Sequence, residues 1–308
     1  TRATIFRDFP DVFSPEYAQG AERFAREQLA PLAGNPYFIG YFITNEPEWM
    51  FQSAVNPAER VLAYDGPLHS KDALIDFLKE RYRGDIAAFN RAWNTAFEDF
   101  GGLRAPLPHA DRTGEAANRD LTDFRDMLIR KYSQVPSDAL RAVGPQHLNL
   151  GMRYAGLTPN ELAGNGCFDI CSFNCYQPTP VPRFDILAEK DPRSPGLVGE
   201  WHIAGDDMRC LATGLLHTRG QADRTTACVY YMEQGFAHPM AVGMHYFEMN
   251  DQPVLGRFDG ECMQHGLISL CNKPYPELTA ALTELGARLY PLVNGDVAPT
   301  EETANILR

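Results

Sequence analysis

Short apolar runs recur along the chain and each closes on polar or aromatic residues: Tyr37–Ile43, Leu148–Arg153, Phe168–Phe173, Gly196–Gly199 and Ala241–Phe247. Runs of this length read as parallel strands buried on both faces, apolar throughout rather than alternating. Helix-period patterns fall over Pro15–Leu32, Ser70–Arg83, Ile86–Thr95, Arg119–Val143, Thr158–Gly164, Asp223–Phe236 and Tyr275–Leu292. Strands that alternate with helices predict an α/β chain, with a parallel sheet covered by helices on its outer face.

About 100 residues separate the first of these strands from the second. Two helical patterns and a Gly/Pro-rich stretch, Gly101–Gly114, fill the interval, more chain than one βα unit needs. Met50–Asn118 is therefore expected to be a helical insertion after the first strand. It either walls a substrate cleft or serves packing alone. No internal repeat is visible, and the polar tail Asn294–Arg308 is expected on the surface.

Composition narrows the function. Of 308 residues, 44% are apolar and 22% charged, the profile of a globular enzyme. The formal charge of -12 gives no general attraction for nucleic acid or anionic membranes. No apolar run approaches the roughly 18 residues of a membrane span. Thr1–Pro10 lacks the apolar region of a secretory signal, which leaves the compartment open, because a signal is removed on maturation. The seven cysteines include no Cys-x-x-Cys pair, which argues against a disulfide framework and a zinc site. Cys167, Cys171 and Cys175 share one parity along an expected strand and read as small core residues. His238, His245 and His265 read as isolated structural histidines, so no metal or other cofactor is expected.

Two carboxylates carry the chemistry. Thr44-Asn45-Glu46-Pro47 follows the first apolar strand, and Gly199-Glu200-Trp201-His202 follows another, 154 residues later. In a (β/α)8 TIM barrel the carboxyl ends of all strands converge on one face, so two distant glutamates can stand opposite each other. A retaining glycosidase needs such a pair about 5–5.5 Å apart, one a proton donor and one a nucleophile. Each alone is equally consistent with a helix cap or an ion pair; together they point to glycoside hydrolysis. Other strand ends agree. Trp49, Trp201, Tyr176 and Tyr246 offer faces on which sugar rings stack, Glu248 and Gln252 offer polar partners for hydroxyls, and Arg153, ending its strand, could hold a carboxylate in its ionised form. Each of these is also a possible core or loop-shaping residue, and Trp93, inside the insertion, reads as core.

Together these motifs resemble clan A glycoside hydrolases, in which the acid/base is the Glu of an Asn-Glu pair after strand four and the nucleophile ends strand seven. The chain is most similar to the agarases of glycoside hydrolase family 50, and more loosely to family 42 β-galactosidases. The resemblance is carried by Gly40–Trp49, Leu148–Tyr154, Asp169–Tyr176, Val198–His202 and the run His245–Leu278. It implies that Glu46 is the acid/base and Glu200 the nucleophile. It also implies that Asn45, Asn174, Tyr176, His202 and Arg153 shape the subsite around the scissile sugar. Pro47 and the Phe247-Glu248 pair depart from the family pattern, which leaves the substrate open.

If Tyr37–Ile43 is strand four, strands one to three have only 36 residues ahead of it, where about 90 are expected at roughly 30 per βα unit. Thr1–Gly34 holds one helix pattern and no second strand. The expectation is a barrel domain over 1–308 that lacks its first three strands, supplied by a companion chain or N-terminal segment, with a homo-oligomer also open. The leading function is cleavage of β-galactosidic bonds in a galactan such as agarose. The alternatives are a β-galactosidase or other clan A glycosidase on small oligosaccharides, and a non-catalytic carbohydrate-binding barrel. A polysaccharide substrate would place the protein outside the cytoplasm, an oligosaccharide substrate inside it.

Overall fold

The computed structural model describes residues 4–51, 55–158, 162–207 and 212–308. The chain divides into two compact units, with the boundary between Asp169 and Ile170. Parallel strands and covering helices make both units α/β, as expected.

The first unit opens on strands β1 (Thr4–Phe6) and β2 (Phe9–Pro10), an antiparallel pair. This corrects the expectation that Thr1–Gly34 holds a helix and no second strand; two- and three-residue strands are too short to leave a period in the sequence. Helix α1 (Pro15–Phe24) starts at Ser14, whose side chain accepts the Tyr17 N–H, with proline at the first turn. A π-helical turn, Ala25–Leu29, and a 3-10 turn, Ala30–Leu32, carry it on to the predicted end at Leu32.

Strands β3 (Gly40–Tyr41) and β4 (Leu148–Asn149) pair in parallel. A Cβ on Gly40 would stand 2.2 Å from the Leu148 carbonyl oxygen, so only glycine permits this approach. Ala25, Leu29, Tyr41 and Leu140 form a buried cluster beside the pair.

Between β3 and β4 lies the helical block: α2 (Pro57–Ala63), α3 (His69–Arg81), α4 (Ile86–Trp93) and α5 (Glu115–Val143), with 3-10 turns at Phe100–Arg104 and Ala110–Arg112. It has a core of its own. Phe89, Trp93 and Leu103 are fully buried, and the buried Asp120 carboxylate accepts from Trp93 Nε1, Tyr82 Oη and Arg81 Nη1 at 2.9, 2.6 and 2.7 Å. Pro136 interrupts the ladder of α5. It has no N–H for the Tyr132 carbonyl one turn back, and the Tyr17 hydroxyl of α1 donates to that carbonyl instead, at 2.7 Å.

The second unit is built on a three-stranded parallel sheet in the order β5 (Cys171–Asn174), β6 (Gly196–Trp201), β9 (Ala241–Tyr246). Every residue of β5 and β6 is buried, Ser172, Asn174 and Glu200 included, which is why no polar-apolar alternation marks these strands. Helices α6 (Val181–Lys190), α7 (Gln221–Phe236) and α8 (Pro276–Val293) complete the unit, and two short strands, β7 (Ala204–Gly205) and β8 (His217–Thr218), also run parallel.

Three sequence expectations shift. β6 continues two residues beyond its predicted end, so Glu200 lies within the strand, because both neighbours keep pairing with it. β5 starts at Cys171, and Cys167 falls instead in a 3-10 turn, Asn165–Cys167, off the strand. Cys171 and Cys175 are buried, in the core role expected of them, whereas Cys167 is only half-buried. Cys210 and the middle of the predicted helix Thr158–Gly164 lie outside the described residues.

Candidate active site

The predicted site residues fall into two groups, one at the strand ends of each unit. In the first unit the β3–β4 ladder outlasts the strands themselves. Leu150 N–H bonds the Tyr41 carbonyl and Ile43 N–H the Gly151 carbonyl, both at 2.9 Å, and Glu46 N–H reaches the Arg153 carbonyl at 3.3 Å. Glu46 and Arg153 both have positive φ, 41° and 48°, where a non-glycine residue sits at a cost. The Arg153 guanidinium lies 5.3 Å above the Phe42 ring. Asn45 is exposed and Glu46 half-buried.

Trp49 belongs to the core. It is 3% exposed and meets Phe9 and Tyr132 edge-on, with ring centroids 5.3 and 5.6 Å away. Its indole serves packing, which the sequence could not separate from a sugar platform because both roles put an aromatic just past a strand.

In the second unit, register brings Asn174 level with Glu200 and Trp201 level with Tyr246. Glu200 is 8% exposed, and the Tyr176 hydroxyl donates to its Oε2 at 2.7 Å. Tyr176 packs on His202 with ring centroids 4.8 Å apart. His202 Nε2 accepts the Leu215 N–H at 3.3 Å, and burial pushes its pKa down to about 3, so the imidazole is neutral. His265 lies 4.5 Å from it and is pushed down to about 2 by burial, with repulsion from His202 once that ring is protonated adding to the effect.

The other predicted aromatics of this unit turn inward. Trp201 is 1% exposed and stacks flat on Tyr231 at 4.3 Å. The Tyr246 hydroxyl donates to the His265 carbonyl at 2.7 Å and accepts from Arg224 at 2.9 Å. Gln252 is 1% exposed; its amide bonds Glu261 at 2.8 Å and accepts the Met263 N–H at 2.9 Å, shaping its loop. Glu248, more open, has its carboxylate 3.5 Å from His265 Nε2.

Two residues that organise this end were missed by sequence reasoning. Arg224 of α7, fully buried, donates to the Ile203 and Gly266 carbonyls at 2.7 Å each as well as to Tyr246. His265 was read as isolated, yet it packs against His202, Phe247 and Glu248. Neither carries a local signal: an arginine at a helix start and a histidine in a loop look like surface residues until the fold encloses them. Among the described residues, no group of three His, Cys, Asp or Glu is placed to hold a metal ion, and no helix is long and apolar enough to cross a membrane.

No protein-family profile matches the chain. Two curated proteins of Vibrio sp. (strain JT0107) do: β-agarase A, 30% identical over 300 residues, and β-agarase B, 28% identical over 296. The alignments cover 91% and 92% of this chain and 30% of each relative. A solved exo-β-agarase superposes with a TM-score of 0.87 at 26% identity, over 96% of this chain and 41% of its own. The chain is thus similar to β-agarases in both sequence and fold. A β-galactosidase from the psychrophilic Marinomonas ef1 shares the fold alone, with a TM-score of 0.62 at 15% identity over 93% of this chain and 45% of its own. This agarase-like chain spans less than a third of the length of the curated agarases it matches.

Proposed function

We propose that the chain forms the catalytic part of a retaining glycoside hydrolase on a (β/α)8 barrel, cleaving β-galactosidic bonds in a galactan such as agarose. The observation that carries this reading is the hydrogen bond from the Tyr176 hydroxyl to Glu200 Oε2, which holds a buried strand-end carboxylate in one rotation, in a chain related to agarases. In this reading Glu200 attacks the anomeric carbon while the Glu46 carboxyl gives its proton to the departing glycosidic oxygen. Water then attacks the glycosyl ester, its proton passes to the Glu46 carboxylate, and both glutamates return to their starting states. Asn45, Arg153, Asn174, Tyr176 and His202 bind and orient the sugar. Neutral His202 offers hydrogen bonds to hydroxyls without competing for the proton in transfer.

The test is turnover of Glu46→Gln and Glu200→Gln in the intact protein on agarose, porphyran, carrageenan and simple β-galactosides. Each variant should lose about a thousandfold or more in kcat with substrate binding retained. Unchanged turnover in either variant removes its assigned role, and binding without turnover in the unmodified protein would favour a carbohydrate-binding barrel. A second reading, action on small β-galactosides, takes its support from Glu248, a carboxylate beside His265 at a pair that departs from the agarase pattern. Preference for simple β-galactosides over polymers in the same screen would establish it.

A further inference from the structure

The β1–β2 hairpin grips the turn that follows Glu46. Asp8 lies in the hairpin turn between Phe6 and Phe9. Its two carboxylate oxygens accept the backbone N–H groups of Glu48 and Trp49, at 2.9 Å each. These are the opening N–H groups of the 3-10 turn Glu48–Phe51, which have no acceptor inside the turn itself. A carboxylate carries two acceptors and no donor, so it can take both. Beside it, Phe9 stacks on Tyr132 at 5.4 Å and meets Trp49 edge-on, so the hairpin holds the same turn by an aromatic contact as well.

Glu46 is fixed from the other side too, by its N–H on the Arg153 carbonyl. Its φ of 41° lies where L residues do not settle by their own preference. The backbone around it therefore depends on what holds it before and after. We propose that Asp8 is a positioning residue for Glu46: by capping the turn two residues on, it sets where the glutamate carboxyl is presented. This rests on the acid/base role proposed for Glu46. Asp8 itself acts through the turn and needs no contact with substrate.

Asp11 supplies a matched control. It caps α3 by the same chemistry, accepting the His69 and Ser70 N–H groups at 2.8 Å each, but on an element that does not carry Glu46. The experiment compares Asp8→Asn, Asp8→Ser and Asp11→Asn in the intact protein, on whichever of the galactan substrates above is turned over fastest. Asparagine keeps one acceptor but turns an N–H₂ toward the second N–H, whereas serine keeps one acceptor without that clash.

Asp8→Asn should lower kcat roughly tenfold to a hundredfold, the effect of a small misplacement of a reacting group, with KM within about threefold. The alkaline limb of its pH–rate profile, which reports the general acid, should move. Asp8→Ser should lose less, and serves as the readable variant if Asp8→Asn does not fold. Asp11→Asn should lower the melting temperature while leaving kcat within about twofold and the alkaline limb in place. A kcat for the folded Asp8 variants within twofold of the parent, or a loss matched by Asp11→Asn, overturns the proposal. Glu46→Gln measured alongside separates the two readings. Full turnover by that variant removes the acid/base assignment, whereas its loss beside undiminished Asp8 variants removes Asp8 alone.

Discussion

Glu46 hands its backbone N–H to the Arg153 carbonyl at 3.3 Å, and both residues adopt left-handed φ at that step. The last rung of the β3–β4 pairing is thus formed where each chain leaves the sheet. Two predicted site residues from segments more than 100 positions apart are locked to one another through their main chains.

Removing the phenol oxygen of Tyr176 tests the hold on Glu200. Tyr176→Phe keeps the ring against His202 and deletes only the donor to Glu200 Oε2. The expected outcome is a kcat loss of about ten- to a hundredfold, because the carboxylate is no longer held in one rotation, with a melting temperature lowered by several degrees, since one hydrogen bond to a charged group contributes about 1.5–3 kcal/mol to stability. Steady-state kinetics beside a thermal melt will read it.

Arg224 is a stability residue by the same logic applied to a buried cation. It is fully enclosed and donates to the Ile203, His265 and Gly266 carbonyls, to the Gln221 side-chain oxygen and to the Tyr246 hydroxyl. Arg224→Met leaves those buried acceptors without a donor, each worth about 1–3 kcal/mol. A destabilisation of about 3–5 kcal/mol is expected, seen as an earlier denaturant midpoint.

The buried imidazoles make stability depend on pH. His202 and His265 have pKa values pushed down to about 3 and about 2 in the folded chain, against about 6.5 when unfolded. Below pH 6.5 the unfolded state takes up protons that the folded state refuses, so stability is complete above that pH and falls as pH drops toward 3. The slope approaches about 1.4 kcal/mol per pH unit for each histidine. His265→Phe preserves a ring beside Phe247, and neither nitrogen of His265 has a hydrogen-bond partner among the described residues. That variant should match the parent at pH 7.5 and lose less stability at pH 5. Equal slopes for the two would refute the account.

Gly40 tests the seam beneath Glu46. A methyl there would meet the Leu148 carbonyl at 2.2 Å, so Gly40→Ala must part β3 from β4. The ladder that ends on Glu46 and Arg153 should be displaced with it. Both a lower melting temperature and a lower kcat are expected, whereas Gly34→Ala, with open space around it, should change neither.

The legible parts of this protein are those whose cause is local. Glu46 and Glu200 stand out in the sequence because each follows an apolar run, and for Glu200 the continuous burial of β6 accounts for that run. Helices α3, α4, α5, α7 and α8 lie within a few residues of their predicted spans, since an amphipathic period survives in the sequence whatever the helix packs against. The hairpin β1–β2 was invisible because its strands are too short for any period.

Side-chain direction was the other thing hidden. Trp49, Trp201 and Tyr246 were expected to face sugar, and the structure turns all three inward, onto Tyr132, Tyr231 and Arg224 respectively. An aromatic beside a strand end has the same sequence signature whether it lines a cleft or fills a core. The choice depends on which distant helix supplies a partner ring or cation. Tyr132, Tyr231 and Arg224 all come from helices. The sequence by itself determined roughly where the strands of the sheets lie, because a short apolar run bounded by polar residues favours a strand, though their exact ends shift by two to four residues. Only the tertiary structure decided where the side chains at those ends point, because that is set by contacts between segments far apart in the chain.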